Sequence, residues 1–268
     1  MTLTLTLITI PLYLAAAALL WLRLARRLPE GSTIQRGHVL ALAGGATALH
    51  LAVLWQHLFI GGGVNLSFFT AISLLTWLLS LVLVVSSFRQ PTENLGIAAF
   101  PLAALGVALE EFLPSSPHLL QGGGMLELHV LISVSAYSIL ILAALQAVLL
   151  RVQDSHLHGK HPGGFVRLLP PLQTMERLLF QLIGIGFLLQ SLSLLTGFIF
   201  LEDMFAQHLV HKTVLSVAAW VVFAVLLWGR WRFGWRGRVA IRWTLTGVLF
   251  LLIAYLGSKL VLELILGL

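Results

Sequence analysis

The chain has 268 residues, of which 59% are hydrophobic and only 10% charged, with a net charge of +6, a pI near 10.5 and a mean hydropathy of +0.98. No soluble domain of this length could carry that apolar excess on its surface, so the composition excludes a water-soluble globular protein and requires an integral membrane protein. Cysteine is absent, which removes disulfides, thiolate metal ligands and covalent thiol capture, and leaves histidine or methionine to hold any redox centre.

A crossing needs about 20 apolar residues. The sequence predicts eight: Leu5 to Leu22, Val39 to Leu58, Leu66 to Phe88, Leu95 to Phe112, Leu128 to Leu150, Leu178 to Leu201, Thr213 to Trp228 and Thr244 to Leu262. The fold class expected is therefore all-α, a polytopic bundle forming one integral membrane domain over residues 1–268, with loops too short to hold a soluble domain. If alternate loops are assigned to the cytoplasm, 14 of the 16 basic residues fall on one side and only Lys212 and Lys259 on the other. This bias places both termini outside the cytoplasm and accounts for the basic pI by topology, so nucleic-acid binding is not implied.

The first span ends in Arg23, Arg26 and Arg27, charges that follow the apolar run instead of preceding it, so an uncleaved first helix is expected. With Pro11 near its outer end and no charged group inside, it reads as a peripheral packing helix. In the second span Gly44, Gly45, Ala46 and Ala48 permit close helix contact. His50 follows eleven residues after Val39, roughly 16 Å into the bilayer and near its midplane. Histidine at that depth lines a functional cavity or bonds to a neighbouring helix. His57 lies on the same face, closer to water.

The glycines Gly61 to Gly63 make a loop able to hug a surface. Below it, Asn65, Ser67, Thr70, Ser73, Trp77 and Ser80 form a polar stripe along the third span, read first as helix-packing glue. The fourth span ends in Glu110 and Glu111, expected to be solvated at the outer boundary. The fifth is headed by His129, which aligns with Ser133, Ala136 and Tyr137 in a stripe that must face protein. The loop histidines His156, His158 and His161 lack acidic or cysteine partners and read as solvated. In the sixth span Gly186, Gln190, Ser193 and Gly197 leave room for a planar ligand or a tight neighbour. His208 and His211 precede the seventh span on the same predicted surface as His57 and His129, which suggests a shared pocket. The loop Arg230 to Arg238 alternates arginine with tryptophan, glycine and phenylalanine, as positive-inside anchoring and an aromatic belt require; the lesser reading is that its arginines meet an anionic ligand.

Taken together, His50, Asn65-Leu66-Ser67 after the glycine loop, Leu128-His129-Val130 with Ala136-Tyr137, His211-Lys212-Thr213 running to Trp220, and Gly234-Trp235-Arg236-Gly237-Arg238 resemble the cytochrome c assembly superfamily. The resemblance is strongest to its YpjD inner-membrane and HemX-like branches and covers a core of about residues 39–268. It implies a multi-pass protein of the bacterial inner membrane with non-covalent, b-type haem as cofactor. In the haem-handling members CcsA and CcmC, external haem is held by histidines that flank a tryptophan-rich WWD segment. By this resemblance His129 matches the first external histidine and His50 a membrane histidine. The segment before the seventh span, LEDMFAQHLVHKT, lacks the WWD signature, and the second external histidine, expected after the last helix, has no counterpart before Leu268. The ligands expected for haem iron are therefore His129 and His211, with His50 holding a second haem or acting as a way station, and Tyr137 and Trp220 lining the macrocycle.

The function expected is haem handling in cytochrome c-type biogenesis, as a carrier at the outer face and not an enzyme. The partners implied are the lipid bilayer, haem and other membrane or biogenesis proteins. Two alternatives stay open: a b-type haem electron carrier, and a haem-free regulatory or assembly subunit.

Overall fold

The computed structural model describes residues 2–25, 35–60, 63–113, 119, 123–158, 169–200 and 210–257. Its helices are α1 (Thr2–Leu24), α2 (Arg36–Leu58), α3 (Phe68–Ser87), α4 (Gly96–Phe112, entered through a 3₁₀ turn at Glu93–Leu95), α5 (Gly123–His158), α6 (Leu172–Phe200), α7 (Val210–Phe233) and α8 (Arg238–Leu252, continued by a π turn at Ile253–Gly257). All eight are long and apolar enough to cross a membrane once the turns at the ends of α4 and α8 are counted. The all-α, eight-span architecture is thus the one expected.

The ends differ from expectation mainly in the second half. Helix α5 has 36 residues, about 54 Å at 1.5 Å per residue, against a hydrocarbon thickness of about 30 Å. It therefore runs well past the apolar run, through Arg151 to His158. Helix α6 likewise starts six residues before Leu178, and α8 six before Thr244. Backbone hydrogen bonds propagate a helix through polar turns in the interface, where side chains need no longer be apolar.

The chain forms two compact units, Met1–Pro117 with Val152–Leu172, and His118–Arg151 with Gln173–Leu268. In the first, α1 packs on α2 and α4, and α3 on the same two helices. The α2–α3 connection is a short antiparallel pair, β1 (Phe59–Ile60) and β2 (Gly63–Val64), with Phe59 opposite Val64. Asn65 ties this hairpin to the end of α2: its N–H donates to the Leu58 carbonyl at 2.7 Å and its side-chain amide to the His57 carbonyl at 3.0 Å. In the second unit α7 packs on α8, and α5 is joined to α6 by Ser133–Ser193 at 2.6 Å and by the Gln146 amide donating to the Met175 carbonyl at 3.0 Å.

Close approach depends on glycine at several of these contacts, Gly106 and Gly186 among them. A Cβ on Gly106 of α4 would collide with the Thr76 hydroxyl of α3, and one on Gly186 of α6 would sit 2.6 Å from Leu140 of α5. The space beside Gly186 is thus filled by a tight neighbour. Thr76 Oγ1 is fixed by donating to the Ser73 carbonyl at 3.1 Å, so it cannot yield freely. Gly106→Ala is expected to lower stability by about 1–3 kcal/mol through overpacking. Gly45→Ala, where a Cβ meets nothing within 4 Å, should be neutral or stabilising by up to about 1 kcal/mol. Thermal unfolding of the two variants in detergent checks the contrast.

Candidate functional site

Each unit has its own polar centre. In the first, His50 is fully buried and both of its ring nitrogens are engaged: Nδ1 lies 3.2 Å from the Tyr13 hydroxyl and Nε2 3.0 Å from Ser73 Oγ. Tyr13 meets the imidazole edge-on, stacks on Phe100 and approaches Thr47 Oγ1 at 3.4 Å. Thr47 continues the chain to Ser80 at 2.9 Å, and its carbonyl accepts from Trp77 Nε1 at 3.0 Å. The polar stripe of α3 is therefore helix-packing glue, as its spacing suggested.

Helix α1 is more than peripheral packing. Thr6, Thr9 and Tyr13, spaced i, i+3 and i+7, lie on one face and are fully buried. The reading of both carboxylates of α4 as solvated also needs correction. Neighbouring residues on a helix diverge by about 100°, and among the described residues Glu111 makes the hydrogen bonds of the pair, with Oε2 3.2 Å from His57 Nε2 and 3.4 Å from Thr6 Oγ1. Glu110 is buried, beside Thr70 and Ser73, with neither carboxylate oxygen hydrogen-bonded among the described residues.

In the second unit His129 is only partly buried and sits near the start of α5. Its Nδ1 is 3.0 Å from Thr196 Oγ1 of α6. The Thr196 hydroxyl proton is directed to the backbone carbonyls of Leu192 at 2.9 Å and Ser193 at 3.0 Å, so this oxygen is left to accept from the ring. An Nδ1–H tautomer satisfies this arrangement, with Thr196 accepting from the ring while donating to a carbonyl, and no hydrogen bond falls on Nε2 among the described residues. One turn further along, Ser133 bonds to Ser193. A turn beyond that, the Tyr137 hydroxyl is 3.4 Å from Ser216 Oγ of α7, whose carbonyl accepts from Gln190 at 3.1 Å.

These features lie within a sequence with known relatives. The cytochrome C assembly protein family matches residues 39–266. The chain belongs to that family. It is 35% identical over 229 residues to the inner membrane protein YpjD of Escherichia coli K12, covering 85% of each chain. It is also 24% identical over 291 residues to the cytochrome c biogenesis protein CcsA of Porphyra purpurea, covering 91% of this chain and 90% of the relative. A 28.8 kDa protein of Azospirillum brasilense is 36% identical over 147 residues, about half of each chain. With eight apolar spans and this kinship, the chain is a multi-pass inner-membrane protein of the cytochrome c assembly family.

Among the site residues expected from sequence, His129 and Tyr137 stand on one face of α5, as their spacing predicts. Trp220 belongs to the same unit, where its Nε1 donates to Ser191 Oγ at 2.8 Å and its ring stacks on Phe187. Tyr137 meets Tyr255 edge-on at 5.5 Å. His211 lies in the first turn of α7, and the placement of its side chain, like His208, lies outside the described residues, as does most of the LEDMFAQHLVHKT segment. His50 belongs to the first unit, where an axial bond to iron would require breaking its contact with Tyr13 or Ser73. His57 is also there, paired with Glu111. Sequence reasoning missed Tyr13 and Glu110; the Thr6, Thr9, Tyr13 spacing is the signal that could have found the first.

Because His50 is sealed by its partners, Ser73→Ala would leave a buried imidazole nitrogen unsatisfied. A loss of about 1–3 kcal/mol is expected, read as a lower unfolding midpoint. Ser135→Ala, whose exposed hydroxyl bonds only to its own helix, should leave the midpoint within about 0.5 kcal/mol of wild type.

Proposed function

We propose that this protein handles haem in cytochrome c biogenesis and that His129 and His211 would hold the haem iron, non-covalently and near the outer face, with Tyr137 and Trp220 contributing to the haem site. The observation that carries the reading is the setting of His129: a partly exposed imidazole whose Nδ1 lies 3.0 Å from Thr196 Oγ1 and whose Nε2 has no hydrogen bond among the described residues. A hydrogen bond at one ring nitrogen orients the other toward a metal and raises its basicity. The donor set suits haem better than a chelated ion, since no three histidine or acidic side chains come together among the described residues, while haem iron needs only axial imidazoles at about 2 Å.

Bound haem would supply the iron whose redox state and reactive edge a cytochrome acquires. This chain's residues supply position. Thr196 sets the tautomer and rotation of His129, and Ser133–Ser193 holds α5 against α6 so that the imidazole stays at that height. Thioether attachment needs cysteines that this chain lacks, so in this reading it is a carrier or presenter, the cysteines coming from a separate apocytochrome, and not the enzyme. The relative CcsA, named for cytochrome c biogenesis, supports the same assignment. His50, hydrogen-bonded at both nitrogens, is read as a structural residue that joins α1, α2 and α3.

The test is an optical spectrum of the detergent-purified protein, oxidised and dithionite-reduced. Wild type should show a Soret band and a sharp reduced α-band, which His129→Ala and His211→Ala each weaken strongly. Thr196→Val, which removes the acceptor for Nδ1–H, should lower haem affinity about 10- to 100-fold while the protein stays folded. A well-folded wild type that shows no Soret band after haem is supplied would leave the haem-free assembly subunit as the reading.

A further inference from the structure

At the opposite end of the second unit from His129, a pocket of about 630 Å³ opens where α6 begins, α7 ends and α8 begins. Three arginines from three elements line it: Arg177 of α6, Arg230 of α7 and Arg236 of the α7–α8 turn. Positive-inside anchoring requires basic residues at this end, but it does not require them to converge. Arg232, Arg238 and Arg242, from the same stretch, do not line the pocket.

The single carboxylate in the wall, Glu176, is outnumbered three to one by the arginines and has one oxygen turned to the backbone. Its Oε1 accepts from the Gly237 N–H at 2.6 Å, which pins the turn that carries Arg236; Gly237 has φ of 55°, the left-handed region that favours glycine. Arg230 is partly fixed as well, donating to the Trp235 carbonyl at 3.1 Å and lying over the Phe180 ring at 4.6 Å. Among the described residues none of the three guanidinium groups forms an ion pair. Gln173 and Thr174, in the first turn of the 29-residue α6, bring the positive end of its dipole to the same wall.

We propose that this pocket binds a phosphate group, presented by an anionic phospholipid headgroup or as a free phosphate. Guanidinium forks approaching from three directions suit an anion with several oxygens arranged tetrahedrally. The surroundings match the headgroup level of a bilayer: Trp228, Trp231 and Phe233, in the last turns of α7 that also carry Arg230, are 56%, 82% and 60% exposed, and such aromatic side chains sit at membrane interfaces, where acyl chains could lie against them. The proposal is independent of haem.

The full chain in neutral detergent is tested in two arms. Native mass spectrometry compares retention of phosphatidylglycerol with that of phosphatidylcholine, and equilibrium binding measures radiolabelled inorganic phosphate. Selective retention of phosphatidylglycerol, reduced at least tenfold in Arg177→Gln/Arg236→Gln but not in Arg242→Gln, supports the site with a lipid source. Phosphate binding with the same dependence supports a soluble source. Binding of neither ligand, or an equal loss in Arg242→Gln, overturns the proposal. Should the double variant not fold, phenylglyoxal labelling of wild type decides, read by peptide mass spectrometry: either ligand should protect Arg177 and Arg236 and spare Arg242, and unprotected labelling contradicts the site.

Discussion

The hydrocarbon core offers no water to a polar side chain, so a buried hydroxyl or imidazole left without a partner on its own or another helix is costly, and Glu110, with neither carboxylate oxygen hydrogen-bonded among the described residues, is the exception in the first unit. That constraint organises both units. In the first, the run Tyr13, His50, Ser73 with Thr47 and Ser80 ties α1, α2 and α3 through groups that would be costly to leave alone. In the second, Ser133–Ser193, Gln190–Ser216 and Tyr137–Ser216 join α5, α6 and α7. Lipid tails are as apolar as leucine, so such bonds, with close packing at Gly106 and Gly186, give helix contacts the specificity that hydrophobic burial cannot supply in a membrane.

The same constraint separates the histidines. An imidazole whose two nitrogens are both used is a structural crosslink, and His50 has that form. An imidazole with one nitrogen fixed and the other open is a prospective ligand, and among the described residues His129 has that form. Depth alone does not make the distinction. The midplane position that makes His50 conspicuous in the sequence is also where an unsatisfied nitrogen would be most costly, whereas His129 can leave Nε2 open because it stands near a helix end, only partly buried.

Much of the fold is legible in the sequence because bilayer thickness sets a length that apolar runs must match; hence all eight helices were predicted, with α2, α3 and α4 placed to within a few residues. The starts of α5, α6 and α8 and the end of α5 are not, since a helix that projects into the interface keeps its backbone hydrogen bonds while its side chains turn polar, and hydropathy records only the side chains. The stripe His129, Ser133, Tyr137 was readable because its spacing matches one helix face. Tyr13 was not singled out, since a lone tyrosine in an apolar helix looks like core until its partner on another helix is known. Glu110 and Glu111 look equivalent in sequence; their different surroundings come from the 100° step between them and from what α1, α2 and α3 bring to each side.

The central claim is that Thr196 holds His129 as the Nδ1–H tautomer with Nε2 open to iron. The most direct measurement is nitrogen-15 NMR of histidine-labelled protein, with the His129 resonances assigned by His129→Gln, before and after haem is added. A protonated Nδ1 with an unprotonated Nε2 in the free protein, and a large change at Nε2 on haem addition, is the predicted result. An Nε2–H tautomer, or His129 resonances unmoved by saturating haem, would contradict it.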